Sequence, residues 1–176
     1  FSSDCGVSLN TIKNYFEILE DTLIGYKLPA YTKTKKRKAI SRSKHYLFDT
    51  GVVNALCEQS NIKKKSQVFG GLFEQFIIME VRAANSYLDM NKSLTYWRSV
   101  NKQEVDLLIG TDIAIEIKST TKVQDKHLKG LRALKEEGQI KRFMIISLDP
   151  IKQTSSDGIE FVYWEDFLKL LWAEHL

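Results

Sequence analysis

The sequence has few of the residues that mark secreted, zinc-binding or membrane-spanning proteins. Its 176 residues include two cysteines, Cys5 and Cys57, which lie far apart, and three histidines without the spacing of metal ligands. Neither a disulfide framework nor a zinc site is expected from this pattern. No apolar run approaches the roughly 20 residues that span a bilayer, and no signal segment opens the chain. We therefore expect a cytoplasmic protein that makes no membrane contact.

The sequence also lacks the Gly-x-x-x-x-Gly-Lys-Ser/Thr motif of P-loop proteins, so we expect no ATP site in this chain. The first residue is Phe1 rather than Met, which is typical of a piece of a longer protein. The content of 43% hydrophobic and 27% charged residues fits one globular domain, or two small domains that share a core.

Positive charge is concentrated in one segment. Eight Lys and Arg residues lie between positions 27 and 44, and no acid occurs between Asp21 and Asp49. Because the net charge is +4, the rest of the chain carries −4. A local basic field on a mildly acidic body predicts contact with a polyanion at one place, and a solvated loop without a partner is the alternative.

Residues 1–59 form a small unit of helix and hairpin in this interpretation. Ser8 supplies a cap-like start, and residues 11–23 carry apolar side chains at the spacing of one helical face. Residues 24–31 and 45–48 are predicted strands, and the basic residues 32–44 form an excursion between them. This order predicts a winged helix-turn-helix whose first helix is missing.

The segment from Cys5 to Asp21 resembles the turn and recognition helix of winged-helix domains. In such domains the start of the recognition helix enters the major groove of DNA, and the wing contacts the phosphate backbone. The resemblance implies DNA as a partner, although winged helices also serve as protein-docking modules. The DNA-binding candidates are Asn10, Lys13, Lys35, Lys36, Arg37 and Lys38.

A polar linker, residues 60–69, separates this unit from a second predicted domain at residues 70–176. The pattern there predicts a helix over 70–88, strands over 94–99 and 161–164, a helix over 125–137, a strand over 142–148 and a closing helix over 165–172. With a hairpin at residues 104–118, the fold class is α/β, with a mixed sheet flanked by helices.

The hairpin alternates apolar and polar residues around a Gly-Thr-Asp loop, as a half-buried hairpin does. We predict that Ile109 faces Ile113 and Leu107 faces Ile115, because this register collects the aliphatic side chains, including Val105, on one face. On the opposite face Asp106 then lies across from Glu116, and Glu104 across from Lys118.

Two carboxylates held opposite each other repel, so the pair of Asp106 and Glu116 needs a compensating cation. A divalent metal is one option, and Mg²⁺ suits it because Mg²⁺ takes one or two carboxylates and a phosphate oxygen. Lys118 would stand beside that metal and orient or help deprotonate the attacking water, or stabilise the phosphate. The alternative is purely structural: Glu104 pairs with Lys118, and a nearby Lys or Arg neutralises Asp106.

Asp106 and the Glu116-Ile117-Lys118 triplet, preceded by a helix with Glu74 in the segment Gly70-Gly-Leu-Phe-Glu-Gln-Phe, resemble the PD-(D/E)XK nuclease fold, a restriction-endonuclease-like fold. The resemblance implies that Asp106, Glu116 and Glu74 bind Mg²⁺ or Mn²⁺, with the Ile117 carbonyl as a further ligand. Lys118 would complete the catalytic set. No Pro precedes Asp106, which departs from the family motif at a variable position.

Glu80 is the alternative helix ligand, because it lies in the apolar stripe of the same helix, where an unpaired carboxylate is costly. We prefer Glu74 because it follows the Gly-x-x-Phe pattern of the family.

A broader resemblance covers most of the chain. The segments Lys44–Gly51, Gly71–Phe76 and Tyr96–Arg98, with the hairpin acids, are similar to the C-terminal domain of unknown function of a group of prokaryotic AAA-type ATPases. That group carries a P-loop ATPase first, then a winged helix, then a nuclease-like domain. The resemblance implies that the ATPase domain of the same protein is a partner and is absent from this chain.

The function expected is metal-dependent hydrolysis of phosphodiester bonds in DNA. A nuclease-like module that binds DNA or protein without cleaving, under control of the missing ATPase, is the competing hypothesis. A third interpretation makes the winged helix a sequence-specific DNA-binding regulator and the remainder a dimerisation body.

Overall fold

The structure is a computed structural model that describes residues 2–64, 66–173 and 176, with side chains from residue 4 onward. Outside the described residues lie Phe1, Lys65 of the predicted linker, and His175, one of the three histidines. No helix within the described ranges has the length and apolarity needed to cross a membrane.

The first part of the chain consists of short helices and a two-stranded antiparallel sheet. Ser8 caps the second helix by accepting a hydrogen bond from the Thr11 backbone N–H at 3.1 Å, so the predicted cap is confirmed. A one-turn helix precedes it, and a third helix follows the strands. The elements are α1 (Ser2–Cys5), α2 (Leu9–Asp21), β1 (Gly25–Leu28), β2 (Lys44–Leu47) and α3 (Thr50–Leu56).

The rest of the chain is a six-stranded mixed sheet flanked by helices, as predicted. The strand order is β3-β4-β5-β6-β8-β7; the β5-β6 and β6-β8 pairs are parallel and the others antiparallel. The short strand β7 is not among the predicted elements. The elements are α4 (Gln67–Tyr87), β3 (Leu94–Arg98), β4 (Glu104–Ile109), β5 (Ile113–Lys118), α5 (Lys129–Lys135, after a 3₁₀ turn at Asp125–Leu128), β6 (Arg142–Ser147), β7 (Gln153–Thr154), β8 (Glu160–Tyr163) and α6 (Trp164–Trp172).

Helices cover both faces of this sheet. On one face α4 and α6 bury Ile77, Ile78 and Phe167, and on the other face α5 buries Leu131 and Leu134. The hairpin of β4 and β5 lies in the middle of this arrangement and is buried on both faces. The prediction of a half-buried hairpin is therefore wrong, because strands with helices on both sides have no solvated face.

The predicted pairs of Leu107 with Ile115 and of Ile109 with Ile113 are confirmed, whereas the predicted pairs of Asp106 with Glu116 and of Glu104 with Lys118 are not among those that the described residues of β4 and β5 form. The placement of Val105 on the same face is wrong, because Val105 packs in the core beneath α5 with Trp97. An irregularity in the pairing of β3 with β4 between Thr95 and Trp97 shifts the register there. Such a bulge re-aims the side chains that follow it, and Asp106 lies in this stretch.

The basic excursion packs against the mixed sheet and α5. Isolated bridges join Ala30 to Tyr96 and Ala39 to Ser99, so the excursion runs beside β3. Glu137, just beyond α5, accepts hydrogen bonds from the backbone N–H groups of Lys35 and Lys36 at 2.7 Å each. These contacts hold the excursion against the rest of the chain and cover a sheet edge that would otherwise be open.

Candidate functional site

Four acids and two lysines meet where the start of β4, the end of β5, helix α4 and strand β2 come together. The term carboxylate cluster denotes these six residues. They are Lys44, Glu74, Glu104, Asp106, Glu116 and Lys118.

Asp106 and Glu116 converge on one ammonium group. Lys118 Nζ lies 2.5 Å from Glu116 Oε1 and 3.4 Å from Asp106 Oδ2. Both acids are buried, with 4% and 6% of their surface exposed. Asp106 Oδ2 also accepts a hydrogen bond from the Ile117 backbone N–H at 2.9 Å, so the β5 backbone fixes its orientation. The three side chains therefore point into one space, although Asp106 and Glu116 are not paired directly across the two strands.

One oxygen of this group has no partner among the described residues. Glu116 Oε2 is buried and accepts no hydrogen bond there. Burial, together with the negative charge of Asp106, raises the pKa of Glu116 to about 8, although the Lys118 ammonium opposes the shift. A carboxyl group in this position favours either a proton or an added cation.

Lys118 carries a proton in this setting. Burial by itself would lower its pKa, but the charges of Asp106 and Glu116 raise the pKa above its ordinary value. The side chain therefore acts as a hydrogen-bond donor and a fixed positive charge. Because a protonated amine cannot accept a proton, this environment does not favour the expectation that Lys118 helps to deprotonate a water.

The other side of the cluster is held by strand β2. Lys44 Nζ lies 2.9 Å from Glu74 Oε1, 2.6 Å from Glu104 Oε1 and 3.7 Å from Asp106 Oδ1. The Tyr46 hydroxyl donates to the same oxygen of Glu74 at 2.7 Å. Burial, followed by the charge of Asp106, raises the pKa of Glu74, while Lys44 and Tyr46 oppose the shift.

The placement of Glu104 differs from the expected cross-strand pair with Lys118. Glu104 makes ion pairs with Lys44 at 2.6 Å and with Arg98 of β3 at 3.5 Å. Lys118 instead holds Asp106 and Glu116. The purely structural alternative, in which Glu104 pairs with Lys118, is therefore wrong on that pair. Its second part is confirmed, because Asp106 does lie beside a lysine.

The structure separates the two candidate acids of helix α4. Glu74 lies in the cluster through Lys44 and Tyr46. Glu80 accepts a hydrogen bond from the Trp172 indole N–H at 2.9 Å, which supplies the partner that an acid in this stripe needs. Glu74 is therefore the acid that the fold brings to Asp106.

Close packing fixes the start of β4. A Cβ on Gly130 of α5 would lie 1.8 Å from the Glu104 carbonyl oxygen, far inside van der Waals contact. The absence of a side chain at this position lets α5 lie directly against β4. The helix thereby sets the position of the strand that carries Glu104 and Asp106.

The predicted DNA-binding residues occupy two other surfaces. Asn10 and Lys13 are exposed on α2, and Lys35, Lys36 and Lys38 are exposed on the excursion. Arg37 is less exposed, because its guanidinium forms ion pairs with Glu136 at 2.5 Å and Glu137 at 3.5 Å. Over the described ranges, no ion pair joins these six residues to the cluster.

Comparison with known families divides the chain at about the start of α4. A model of the domain of unknown function DUF4143 matches residues 69–167, and a model of the domain of unknown function DUF8612 matches residues 1–66. The first match covers more than half of the chain. The chain belongs to the DUF4143 family. Glu74, Glu104, Asp106, Glu116 and Lys118 lie in the DUF4143 region, whereas Lys44 and Tyr46 lie in the DUF8612 region.

An uncharacterised protein of Haemophilus influenzae is 24% identical to the chain over 163 residues, which cover 92% of this chain and 37% of that protein. The chain thus spans a little over a third of the length of this relative. No solved structure matches the chain at a significant level.

The donor set of the DUF4143 region fits a hard divalent cation, because carboxylate oxygens are the ligands that Mg²⁺ prefers. Asp106 and Glu116 share one space, and Glu116 Oε2 has no hydrogen-bond partner among the described residues. As the described side chains stand, no three His, Cys, Asp or Glu residues form a group that could hold a metal ion. The ammonium groups of Lys44 and Lys118 lie among the carboxylates instead. A metal would therefore have to replace these ammonium groups as the partner of the carboxylate oxygens.

Sequence reasoning missed Lys44 and Tyr46 as members of the cluster. Their spacing was the one available indication, because residues two positions apart on a strand share one face. In the structure this face of β2 points toward Glu74. Arg98 was also missed, and its position on β3 opposite Glu104 follows from the strand pairing.

Proposed function

We propose that this chain is the C-terminal region of a AAA-type ATPase and that its DUF4143 region is a nuclease-like, PD-(D/E)XK-type domain that hydrolyses phosphodiester bonds in DNA with Mg²⁺ or Mn²⁺. One observation carries the proposal: Asp106 and the buried, partly unpaired Glu116 converge on Lys118. Two buried carboxyl groups side by side destabilise a purely structural sheet when both are charged, and perturbed carboxyl groups concentrate at functional sites.

Asp106 and Glu116 would hold the metal, with Glu74 as a third ligand when Lys44 releases it. A bound divalent ion polarises a phosphate and lowers the pKa of a coordinated water. Lys118, protonated between the two acids, would donate a hydrogen bond to the attacking water or to a phosphate oxygen. The Ile117 N–H keeps Asp106 oriented toward this space.

DNA is proposed as the substrate because the chain exposes positive charge on one part of its surface. Lys35, Lys36 and Lys38 are exposed on the excursion, where they would contact phosphates without reading sequence. Asn10 and Lys13 on α2 would add contacts if this helix enters a groove as in a winged-helix domain. Arg37, held by Glu136 and Glu137, would anchor the excursion.

The missing partner in this proposal is a P-loop ATPase domain in the same polypeptide, acting in the cytoplasm. The Haemophilus influenzae relative supports a longer protein, because the aligned chain covers 37% of its length. The resemblance to the C-terminal domain of AAA-type ATPases is the support for a P-loop ATPase as the remainder.

The test is cleavage of labelled linear, single-stranded and four-way-junction DNA in Mg²⁺ or Mn²⁺. The parent chain is compared with Asp106→Asn and Lys118→Ala. Glu80→Gln is a matched control, because it removes an acid from α4 that lies outside the cluster and keeps an acceptor for Trp172. Cleavage by the parent and by the control, lost in both cluster variants, is the expected result. Equal cleavage by all four proteins would assign the activity elsewhere.

A second candidate function is a binding module that does not cleave. The observation that favours it is the ion pairing of the cluster, in which Lys44 and Lys118 already neutralise the acids. This function predicts that the chain binds DNA in EDTA and never cleaves it, also when the ATPase portion is present.

A further inference from the structure

Strand β2 brings a lysine from outside the DUF4143 region into the carboxylate cluster. Lys44 Nζ lies within 4 Å of three acids: Glu74, Glu104 and Asp106. The side chain is 22% exposed, and its ammonium also lies over the Tyr96 ring, 5.1 Å from the centroid. The lysine is thus enclosed on the site side by acids and an aromatic face.

The location of Lys44 conflicts with a three-carboxylate metal site. Glu74 Oε1 accepts hydrogen bonds from both Lys44 and Tyr46. A divalent ion placed among Glu74 and Asp106 would meet the ammonium at close range, and two cations in one set of oxygens repel each other. Glu74 therefore becomes available to a metal only when Lys44 withdraws.

The strand that carries Lys44 is also attached to α2. His45 Nε2 lies 3.4 Å from Glu20 Oε1, and the His45 ring lies 4.3 Å from the Phe16 ring, centroid to centroid. One strand therefore contacts α2 through His45 and the cluster through Lys44 and Tyr46. A displacement of α2 and its hairpin away from α4 would withdraw Lys44 from the acids.

We propose that Lys44 is a tethered counter-cation that competes with divalent metal for Glu74 and Asp106, so that the N-terminal hairpin controls metal occupancy of the DUF4143 site. This inference rests on the proposed metal site and adds its regulation. It predicts that loss of Lys44 strengthens metal binding, whereas a lysine that merely completes the site would weaken metal binding when removed.

The experiment titrates the full chain with MnCl₂ and follows free Mn²⁺ by its electron paramagnetic resonance signal. Lys44→Met is compared with the parent and with Lys27→Met, a control that removes one exposed cation from β1 of the same hairpin. Lys44→Met should bind Mn²⁺ roughly tenfold more tightly than the parent, a factor at the low end of the range for one close charge pair. Lys27→Met should match the parent.

Thermal unfolding in EDTA and in Mn²⁺ gives a second readout. Lys44→Met should melt at a lower temperature than the parent in EDTA, because its acids lose their counter-charge, and Mn²⁺ should raise its melting temperature more than that of the parent. If Lys44→Met does not fold, Lys44→Gln keeps a hydrogen-bond donor for Glu74 and replaces it in both measurements.

The outcomes separate the two claims. Equal or weaker Mn²⁺ binding by the Lys44 variant, with binding by the parent intact, would overturn the competition and leave the metal site standing. Absence of Mn²⁺ binding in the parent and in the variant would overturn the metal site and the competition with it. Binding by the variant alone would support both.

Discussion

Replacing Glu116 with glutamine should stabilise the protein at alkaline pH in the absence of metal. Glu116 is 6% exposed, and burial with the neighbouring Asp106 charge raises its pKa from 4.5 to about 8. A carboxyl group with a raised pKa in the folded state contributes its full stability below pH 4.5. That contribution is lost as the pH rises through about 8, because the buried group must then ionise.

The size of the effect follows from the raised pKa. A tenfold change in an acid dissociation constant corresponds to about 1.4 kcal/mol, so ionisation of Glu116 costs on the order of 3–5 kcal/mol above pH 8. The glutamine of the variant would not ionise, and its amide oxygen keeps the acceptor for Lys118. The free energy of unfolding of Glu116→Gln should therefore exceed that of the parent by about this amount at pH 9 and should be within about 1 kcal/mol of it at pH 5.

Urea unfolding in EDTA buffers across pH 5–9 measures this difference. A gap of about 3 kcal/mol also moves the melting temperature by roughly 6–12 °C in a chain of this length. Glu17→Gln, at an exposed position of α2, is the control that removes a carboxylate from the surface. A constant gap between Glu116→Gln and the parent from pH 5 to pH 9 would refute the reasoning.

Three further predictions concern the framework. Gly130→Ala should lower the free energy of unfolding, measured in urea, by several kcal/mol, because the added Cβ would lie 1.8 Å from the Glu104 carbonyl oxygen. An unchanged urea midpoint would contradict this packing. Ile78→Ala should cost about 2–5 kcal/mol, since its side chain is fully buried, and a loss under 1 kcal/mol in the same assay would contradict it. Burial alone would raise the pKa of Glu137, but the backbone N–H groups of Lys36 and Lys35 hold it below its ordinary 4.5. The stability that Glu137 contributes is therefore present above pH 4.5 and lost below it. The difference in free energy of unfolding between the parent and Glu137→Gln should shrink on acidification, and a difference that grows would contradict this.

The pairs of Leu107 with Ile115 and of Ile109 with Ile113 were predictable, because a one-residue slip would have placed acids opposite aliphatic side chains. The burial of the hairpin on both faces was not predictable, because it depends on helix α5. This helix follows the hairpin in the sequence, and nothing within the hairpin indicates that α5 covers it. The position of Val105 depends on the bulge between β3 and β4. A bulge is set by the pairing of two strands, and alternation within one strand does not reveal it.

The candidate site was predictable where a motif lies within one hairpin. Asp106, Glu116 and Lys118 were proposed from their spacing and Glu74 from the family resemblance, and the fold brings these residues together. Lys44 reaches them from 62 positions before Asp106, and its role depends on tertiary packing. The same holds for Arg37, whose partners are the distant Glu136 and Glu137.

The most direct test of the central claim is to locate a bound metal. Crystals of the chain grown with MnCl₂ should show an anomalous difference peak that contacts the carboxylates of Asp106 and Glu116, and the peak should be missing in Asp106→Asn. A map without a peak at saturating Mn²⁺, with Lys118 still held between the two acids, would contradict the account.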